Sequence, residues 1–515
     1  MGAHARMQKR DAVIMGAGKA GAGLGQGWGR AWAGLGQGLG MAKTLAPDIC
    51  VIGGGPGGLS VAAAAAAFGV PTVLIERHRM GGGGLTTGCL PSKALLAAAR
   101  RAESIRGAGA FGLNAQYIGA NFAKVQDHVH RVIAAVAPAD SAERFTGLGV
   151  RVLYGHAKFV SSNTVTVDET AIRARRFVLA TGSWPAIPPI PGLDRGTYLT
   201  TDTIFDLRER PEHLIVIGAG SSGLEMAQAF RRLGSSVTVL EAAQPLANDD
   251  PECVAVLLDC LEREGVIVRS GVNVIDIAYA GNTVTATIEH AGAEQTITGS
   301  HLLVAAGRTP AIDALGLDAA GIAHSRSGIS VNRKLKTTNR RVYAIGDCAA
   351  GQLPFAHAAN HHAGLVIRNA LFRLPVRVNN NAIPWATYTD PELAQTGLTE
   401  AQARKRGIRI RIARWPYSDN DRAQTEHVTR GHIKVITTRE GRLLGATIVG
   451  AQAGELISLW TLAIARGLNM RALTNIVLPY PTLSELGKRA AVDYFTPGLT
   501  NAWVRRIIAW MRIFG

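Results

Sequence analysis

One thiol set beside a glycine run carries the most concentrated chemistry in the chain. In Met80-Gly-Gly-Gly-Gly-Leu-Thr-Thr-Gly-Cys-Leu-Pro-Ser-Lys93 the glycines end at Cys89, and Ala94-Leu95-Leu96-Ala97-Ala98-Ala99-Arg100 follows. Those last seven residues are good helix formers, so a helix is predicted with Pro91 in its first turn and Cys89 at its positive end. A cysteine so placed favours the thiolate, the nucleophilic and redox-active form.

Phosphate-binding chemistry is written twice. Asp48-Ile-Cys-Val-Ile-Gly53-Gly-Gly55-Pro-Gly-Gly58 predicts a buried strand and a glycine turn, then an alanine-rich helix to Phe68 and a second strand ending at Glu76. Backbone amides at the helix start can take a pyrophosphate, and Glu76 can bind a ribose hydroxyl pair. The unit recurs as Leu214-Ile-Val-Ile-Gly218-Ala-Gly220-Ser-Ser-Gly223, a helix through Phe230 and Arg231, and a strand ending at Glu241. Two such units predict two dinucleotide sites, and one protein holding two dinucleotides commonly passes electrons between them. Glu241 puts a negative charge where a 2′-phosphate would sit, and Ala242-Ala-Gln-Pro brings no arginine to offset it, which favours NAD(H) over NADP(H). A third glycine pattern, Gly16-Ala-Gly18-Lys-Ala-Gly21, is followed by more glycines and no acid at the required distance, and is rejected as a dinucleotide site.

Residues 88–93, Gly-Cys-Leu-Pro-Ser-Lys, resemble the redox segment of the flavin-dependent pyridine nucleotide–disulfide oxidoreductases, the family of glutathione reductase, dihydrolipoamide dehydrogenase and mercuric reductase. That segment reads Gly-Gly-Thr-Cys-x-Asn-x-Gly-Cys-x-Pro-Ser-Lys. In register, its threonine falls on Gly83, its first cysteine on Gly84 and its asparagine on Thr86, so half of the expected disulfide is missing. Further matches follow in family order: Ala-Thr181-Gly182, Gly307-Arg308-Thr-Pro310, Gly346-Asp347, and Pro384-Trp-Ala-Thr-Tyr-Thr-Asp-Pro391-Glu with Gly397-Leu-Thr-Glu. The resemblance implies an α/β fold of two Rossmann-type domains, for FAD and NAD(P), plus a C-terminal α+β dimerisation domain, and hence a homodimer. The domains are expected at 1–46 (a disordered Gly/Ala-rich extension), 47–192 and 311–380 (FAD), 193–310 (NAD(P)), 381–498 (dimerisation) and 499–515 (a basic amphipathic tail).

The same resemblance implies the site roles. Cys89 corresponds to the flavin-proximal thiol, Lys93 to the lysine beside the flavin ring, and Glu225 to the glutamate that pairs with it. Asp347 corresponds to the acid on the ribityl chain; by chemistry alone it is an acid after a glycine turn, suited to hydroxyls or to capping a following helix. The family's His-Pro-Thr-x-x-Glu acid–base segment appears as Tyr480-Pro481-Thr482-Leu-Ser-Glu485. A phenol with a pKa near ~10 is a poor base at neutral pH, which counts against dihydrolipoamide and glutathione as substrates. Mercuric reductases resemble this chain in having a tyrosine there, but they also need the redox pair and usually a C-terminal cysteine pair. This chain has no cysteine after Cys348.

Composition bounds the rest. At 515 residues and 47% hydrophobic content, two to four domains are expected. The five cysteines, Cys50, Cys89, Cys253, Cys260 and Cys348, are scattered, which fits a reducing, cytoplasmic setting, and Cys253 and Cys260 read as small buried residues. The formal charge of +17 is dispersed, and no nucleic-acid motif accompanies it. Its densest patch, Arg404 to Arg414, alternates Ile and Arg from Ile408 on, as a half-buried strand does. No metal site is expected: His357, His361 and His362 read as structural. In the tail, residues 503, 504, 507, 511 and 514 share a helical face opposite Arg505 and Arg512, a pattern that suits a membrane interface or docking on its own dimer; nothing is long enough to span.

Three functions remain open. The favoured one is an FAD-dependent NADH oxidoreductase that reduces a small acceptor, such as a quinone or oxygen, directly from the flavin or through Cys89 alone. The second is a disulfide or mercuric-ion reductase whose missing thiol comes from substrate, Cys348 or a partner. The third is a non-catalytic membrane-associated flavoprotein; Lys93, Glu225 and the two dinucleotide units argue against it, because a scaffold needs no electron path.

Overall fold

The computed structural model describes residues 44–499, 502–513 and 515, so the rejected glycine pattern and nearly all of the expected extension lie outside the described residues. The exception is its end. Thr44–Leu45 form a strand pairing in parallel with Ala171 and Ile172, and Leu45 is buried beside Ile172 and Phe159. Burial of this leucine ties the segment down, so ordered structure is already present ahead of the expected boundary at residue 47.

Two parallel five-stranded sheets repeat one plan. In the first the order is Val342–Ala344, Arg176–Leu179, Ile49–Ile52, Thr72–Glu76, Val150–Tyr154. In the second it is Leu199–Thr200, His301–Val304, His213–Ile217, Ser236–Glu241, Val266–Ser270. All eight pairings are parallel. The strand that feeds each glycine turn is central and reads as a continuous apolar run, Ile-Cys-Val-Ile and Leu-Ile-Val-Ile, because both faces of such a sheet are covered. Each glycine turn therefore lies at the carboxyl end of a central strand, where open α/β sheets bind ligands.

The third layer system is antiparallel: Trp385–Thr387, Glu392–Gly397, Leu443–Gly450, His432–Thr438 and Ile410–Pro416 in spatial order. Helices Ala453–Ala465 and Glu485–Leu499 pack on it around the buried Trp460 and Tyr494. From Ile408 to Ile412 half-buried isoleucines alternate with exposed arginines as the sequence predicts, but Ala413 is buried and breaks the alternation, so Arg411 and Arg414 are both exposed although three positions apart. Both have intramolecular partners: Arg411 lies 3.9 Å from the Tyr494 ring centroid, and Arg414 grips Glu252 through two bonds of 2.7 and 2.8 Å.

Two local readings needed the third dimension. Residues 121–145, rich enough in helix formers to suggest one helix, divide into Phe122–Val136 and Ala142–Gly147, because Pro138 breaks the ladder and Ser141 caps the second piece by accepting from Arg144 N–H at 3.2 Å. The glycine run itself forms a short helix, Gly82–Thr86, despite poor propensity. Gly81 and Gly82 turn the chain with φ of 89° and 60°, and Gly81 N–H donates to Gly54 O at 2.8 Å. A Cβ on Gly82 would sit 2.8 Å from the Gly55 Cα. These glycines let the redox segment press against the first dinucleotide turn.

Candidate active site

The two glycine turns share their geometry residue by residue. Gly53 and Gly218 have φ of 109° and 106°, and a Cβ on either would lie 2.3 or 2.5 Å from the carbonyl oxygen of Ala180 or Ala305. A Cβ on Gly58 or Gly223 would lie 1.9 or 2.0 Å from the carbonyl oxygen of the first glycine of its own turn. These four glycines are required by close backbone approach. The middle pair is different. Gly55 and Gly220 have φ of −82° and −76°, which any residue adopts. A Cβ on Gly220 would meet nothing within 4 Å, and one on Gly55 only the Gly82 Cα at 3.9 Å. The chain's own packing does not demand glycine at either position, whereas a pyrophosphate lying against the backbone does. The helices that follow, Pro56–Ala67 and Ser221–Arg232, have neither a side-chain cap nor an acid in the first turn, leaving their amides for an anion. The residues present thus fit the phosphates of two dinucleotides.

The paired acids match too. Glu76 accepts from Gly54 N–H (2.6 Å) and His78 N–H (2.7 Å), and Glu241 from Ala219 N–H (2.7 Å) and Ala243 N–H (2.9 Å). Each carboxylate is held at the mouth of its turn by the amide after the first glycine.

Cys89 begins the helix Cys89–Arg106 and is the one exposed cysteine among the described residues; Cys50, Cys253, Cys260 and Cys348 are buried. One turn on, the Lys93 ammonium lies 2.8 Å from Glu225 Oε2, with side chains 34% and 4% exposed. Glu225 is carried by the helix of the second glycine turn, so this pair joins the redox helix to the second dinucleotide unit. A residue that the sequence did not single out completes the group. Tyr388 donates its backbone N–H to Glu225 Oε1 (2.9 Å), and its ring lies under the Lys93 ammonium, 4.4 Å from the centroid. Its neighbours are clamped as well: Arg100 reaches Glu392 (2.8 Å) and the carbonyls of Tyr388 and Thr389, while Gln228 exchanges two bonds of 2.7 Å with the Asp390 backbone. The aromatic in Trp-Ala-Thr-Tyr-Thr-Asp was legible only as part of the opening of a domain; nothing in its spacing pointed to Lys93.

The crossing segments meet in one place. Ser183–Pro185 pair antiparallel with Arg308–Pro310, with Gly182 accepting from Ala311 N–H and Gly307 from Ala186 N–H, each at 2.9 Å, at the two ends of the ladder. Arg308 donates to Ser183 Oγ (2.7 Å) and O (2.6 Å), and Ser183 Oγ donates to Asp347 Oδ2 at 2.6 Å. Asp347 lies within the turn Gly346–Cys348, while the next helix is capped at Phe355, so Asp347 is not that helix's cap.

Residues 47–363 match the pyridine nucleotide-disulphide oxidoreductase family, and residues 383–491 match its dimerisation domain. The chain belongs to the pyridine nucleotide-disulphide oxidoreductase family. A mercuric reductase of Streptomyces lividans is 34% identical over 459 residues, 87% of this chain and 96% of that protein. A dihydrolipoyl dehydrogenase of Staphylococcus aureus is 34% identical over 452 residues, 86% and 96% of the two chains. Among solved structures, LpdA from Mycobacterium tuberculosis superposes with a TM-score of 0.80 at 26% identity, covering 87% of this chain and 99% of that one. The HOCl-induced flavoprotein disulfide reductase RclA from Escherichia coli gives 0.77 at 27%, covering 86% and 99%. Membership makes the protein an FAD-dependent NAD(P)H oxidoreductase, and the dimerisation domain supports a homodimer.

Against this family background, the second half of the site departs. Gly84 lies in the short helix Gly82–Thr86, and Cys348, the expected substitute thiol, is fully buried with Sγ bonded to Ile345 O (3.3 Å) and Leu179 O (3.5 Å). Burial also raises the Cys348 pKa, so it does not supply the missing thiol. Tyr480 and Glu485 belong to the dimerisation domain; among the described residues no hydrogen bond links either to Cys89, Lys93 or Glu225 within the chain. The Tyr480 hydroxyl donates to Asp421 Oδ2 at 2.9 Å, and this bond pushes the phenol above its ordinary pKa, making it a still poorer base. The histidines have internal roles: His357 Nε2 lies 2.6 Å from Pro384 O, and His362 Nδ1 accepts from Gly346 N–H at 3.4 Å.

Proposed function

We propose that this oxidoreductase takes electrons from NADH and delivers them to a small acceptor, a quinone, oxygen or another electrophile, without a redox dithiol. FAD, when bound, supplies the two-electron exchange between nicotinamide and acceptor. The chain's own residues hold and tune that exchange. Lys93 brings a positive charge to the ring, Glu225 keeps the lysine oriented from a nearly solvent-free position, and Tyr388 holds both. Cys89 offers one exposed thiol at a helix start.

The observation that carries this reading is glycine at position 84 together with the burial of Cys50, Cys253, Cys260 and Cys348, which leaves Cys89 the one exposed thiol among the described residues. NADH is favoured because Glu241 presents a fixed carboxylate to the ribose. The redox unit is proposed to work in the cytoplasm as a homodimer whose tail contacts a membrane surface. The second reading, disulfide or mercuric-ion reduction, keeps support from the identities above, with the thiol coming from substrate or a partner.

An anaerobic NADH titration of the FAD-loaded protein tests the choice. Bleaching complete at about one equivalent per flavin is the expected result. Uptake of about two, with a long-wavelength thiolate–flavin band, would overturn it in favour of the disulfide reading.

A further inference from the structure

Basic residues collect at the amino-terminal end of the first parallel sheet, the end opposite its glycine turn. Residues 173–176 hold three arginines, 333–341 five cations and 368–377 three more arginines, with no acid in any of these segments. The fold brings the three together. Arg176 opens one strand and Arg340-Arg341 lead into its neighbour, with Phe177 N–H donating to Arg341 O at 2.9 Å. Val378 N–H donates to Arg333 O at 2.9 Å, which joins the turn 333–341 to the segment that follows helix Ala356–Ala370. Burial holds the Lys336 ammonium below its ordinary pKa, and the charges of Arg176, Lys334 and Arg340 push the same way. Among the described residues no ion pair engages Arg333, Lys334, Arg340, Arg341, Arg373 or Arg377. Asp48 is taken by Arg175 at 2.7 Å, while Asp140 and Glu143 lead into Val150–Tyr154, the strand at the far edge of the sheet.

The same end carries apolar surface. Helices Pro56–Ala67 and Ala356–Ala370 finish there at Phe68 and Leu371. Phe68 and Phe372 meet edge to face at 5.1 Å and still stay 42% and 51% exposed, and Leu374 is 48% exposed. A helix C-terminus accounts for Arg368, whose Nε donates to Gly364 O at 3.2 Å, but not for the five cations of 333–341. Like charges gathered in one place oppose one another until an anionic partner neutralises them.

The dimerisation domain meets this domain at the other end of helix Ala356–Ala370, where His357 Nε2 lies 2.6 Å from Pro384 O. That contact is about 20 Å from Phe372 along the helix, so pairing through residues 383–491 is centred away from the basic end. Nucleic acid would ask for open ring faces on which bases stack, whereas Phe68 and Phe372 are turned edge to face on each other and Leu374 is aliphatic. A bilayer containing anionic lipid meets both demands: its phosphates and carboxylates neutralise a broad cationic face, and its acyl boundary accepts the phenylalanines and the leucine.

We propose that this end of the flavin-type domain, from Arg176 across 333–341 to Phe372 and Leu374, is a docking surface for anionic phospholipid bilayers. It is separate from the tail and independent of which acceptor the flavin site serves.

The test is flotation of the full FAD-loaded chain with vesicles of phosphatidylcholine alone and of phosphatidylcholine mixed with phosphatidylserine. Binding is expected only to the mixed vesicles and should fall steeply with added salt. The variant R333Q/K334Q/R340Q/R341Q should lose roughly fivefold in partitioning per cation, on the order of several hundredfold in all. L374S should lose roughly fivefold through its apolar surface. Both variants keep the tail, and their flavin absorbance and NADH oxidation with ferricyanide should match the parent, which shows that the fold is intact. Unchanged flotation of either variant, or equal binding of the parent to both vesicle types, overturns the proposal. Absence of parent flotation overturns it as well, as does a larger oligomer in light scattering that the four substitutions abolish, which would make a second copy the occupant. Binding of an RNA oligonucleotide that the four substitutions abolish, with no vesicle binding, would assign the face to nucleic acid instead. None of these outcomes alters the NADH titration.

Discussion

Glu225 and Lys93 are 132 positions apart and meet at 2.8 Å, the carboxylate almost wholly buried and the ammonium one-third exposed. The contact ties the helix that starts at the thiol to the helix that starts at the second glycine turn. An ion pair of this kind contributes little if both ends are wet, and much of its value lies in what happens when one end is removed.

Glu225→Gln removes the charge but keeps an oxygen for the Tyr388 amide. Because Lys93 can recover some hydration, the loss is set at about 1–2 kcal/mol rather than the ~3–5 of a sealed pair. NADH-driven flavin reduction is expected to slow about tenfold, with the absorbance spectrum of the bound flavin shifted. Stopped-flow bleaching measures the first and a static spectrum the second; an unchanged rate would make the pair merely structural.

Gly84→Cys restores the expected dithiol position. A Cβ there would meet only the Pro56 Cγ, at the ordinary contact distance of 3.4 Å, so the backbone accepts the side chain. The variant is expected to consume about two NADH equivalents per flavin where the parent consumes about one, and to gain disulfide or mercuric-ion reductase activity that the parent lacks. The same activity in the parent, at a rate the new cysteine does not raise, would return the disulfide reading to first place.

Glu241→Gln tests the nicotinamide assignment. The amide oxygen can still accept from Ala219 N–H, while the charge facing the ribose is lost. A charge-assisted bond is worth ~1.5–3 kcal/mol, so KM for NADH should rise by about tenfold or more and the preference over NADPH should narrow. Glu76→Gln is the matched control, because it should weaken FAD retention and leave KM for NADH near the parent value.

Much of this site was legible in the sequence because it is local. Each glycine turn, its strand and its acid fall within one short segment, and the repeat at Gly218 to Glu241 gives the reading an internal check. Cys89 at a helix start was equally local. Tyr388 was not: it reaches Lys93 through a fold-level contact between domains, and its sequence neighbourhood looks like any strand-to-turn segment. Ser183, which links Arg308 to Asp347, was hidden for the same reason. The glycine helix Gly82–Thr86 runs against propensity and is explained only by the Gly55 backbone pressed against it.

A buried charge cluster between the nicotinamide-type and antiparallel sheets was also invisible in one dimension, and it sets a pH dependence. Lys434, with its side chain 3% exposed, lies within 3.0 Å of Asp250, Glu252 and Glu400. Beside it, burial pushes Asp249 from 3.8 up to about 6, against the opposing hydrogen bond from the Trp385 indole N–H (2.7 Å). A carboxyl with a raised folded-state pKa holds its proton more tightly in the folded chain than in the unfolded one. Its contribution therefore favours folding below the unfolded value, and stability declines as pH rises from 3.8 through about 6. Glu252 works in the opposite sense: hydrogen bonding from Arg414 holds it down to about 2, so what it adds is lost only as pH falls towards that value. Asp249→Asn keeps an oxygen for Trp385 and removes the titration. The variant should match the parent at the acid end of this window and exceed it near neutral pH by about 2 kcal/mol, once partial solvent access is allowed for. Denaturant melts of the two proteins across the range measure the difference directly. A gap that is constant with pH would place the proton elsewhere in the cluster.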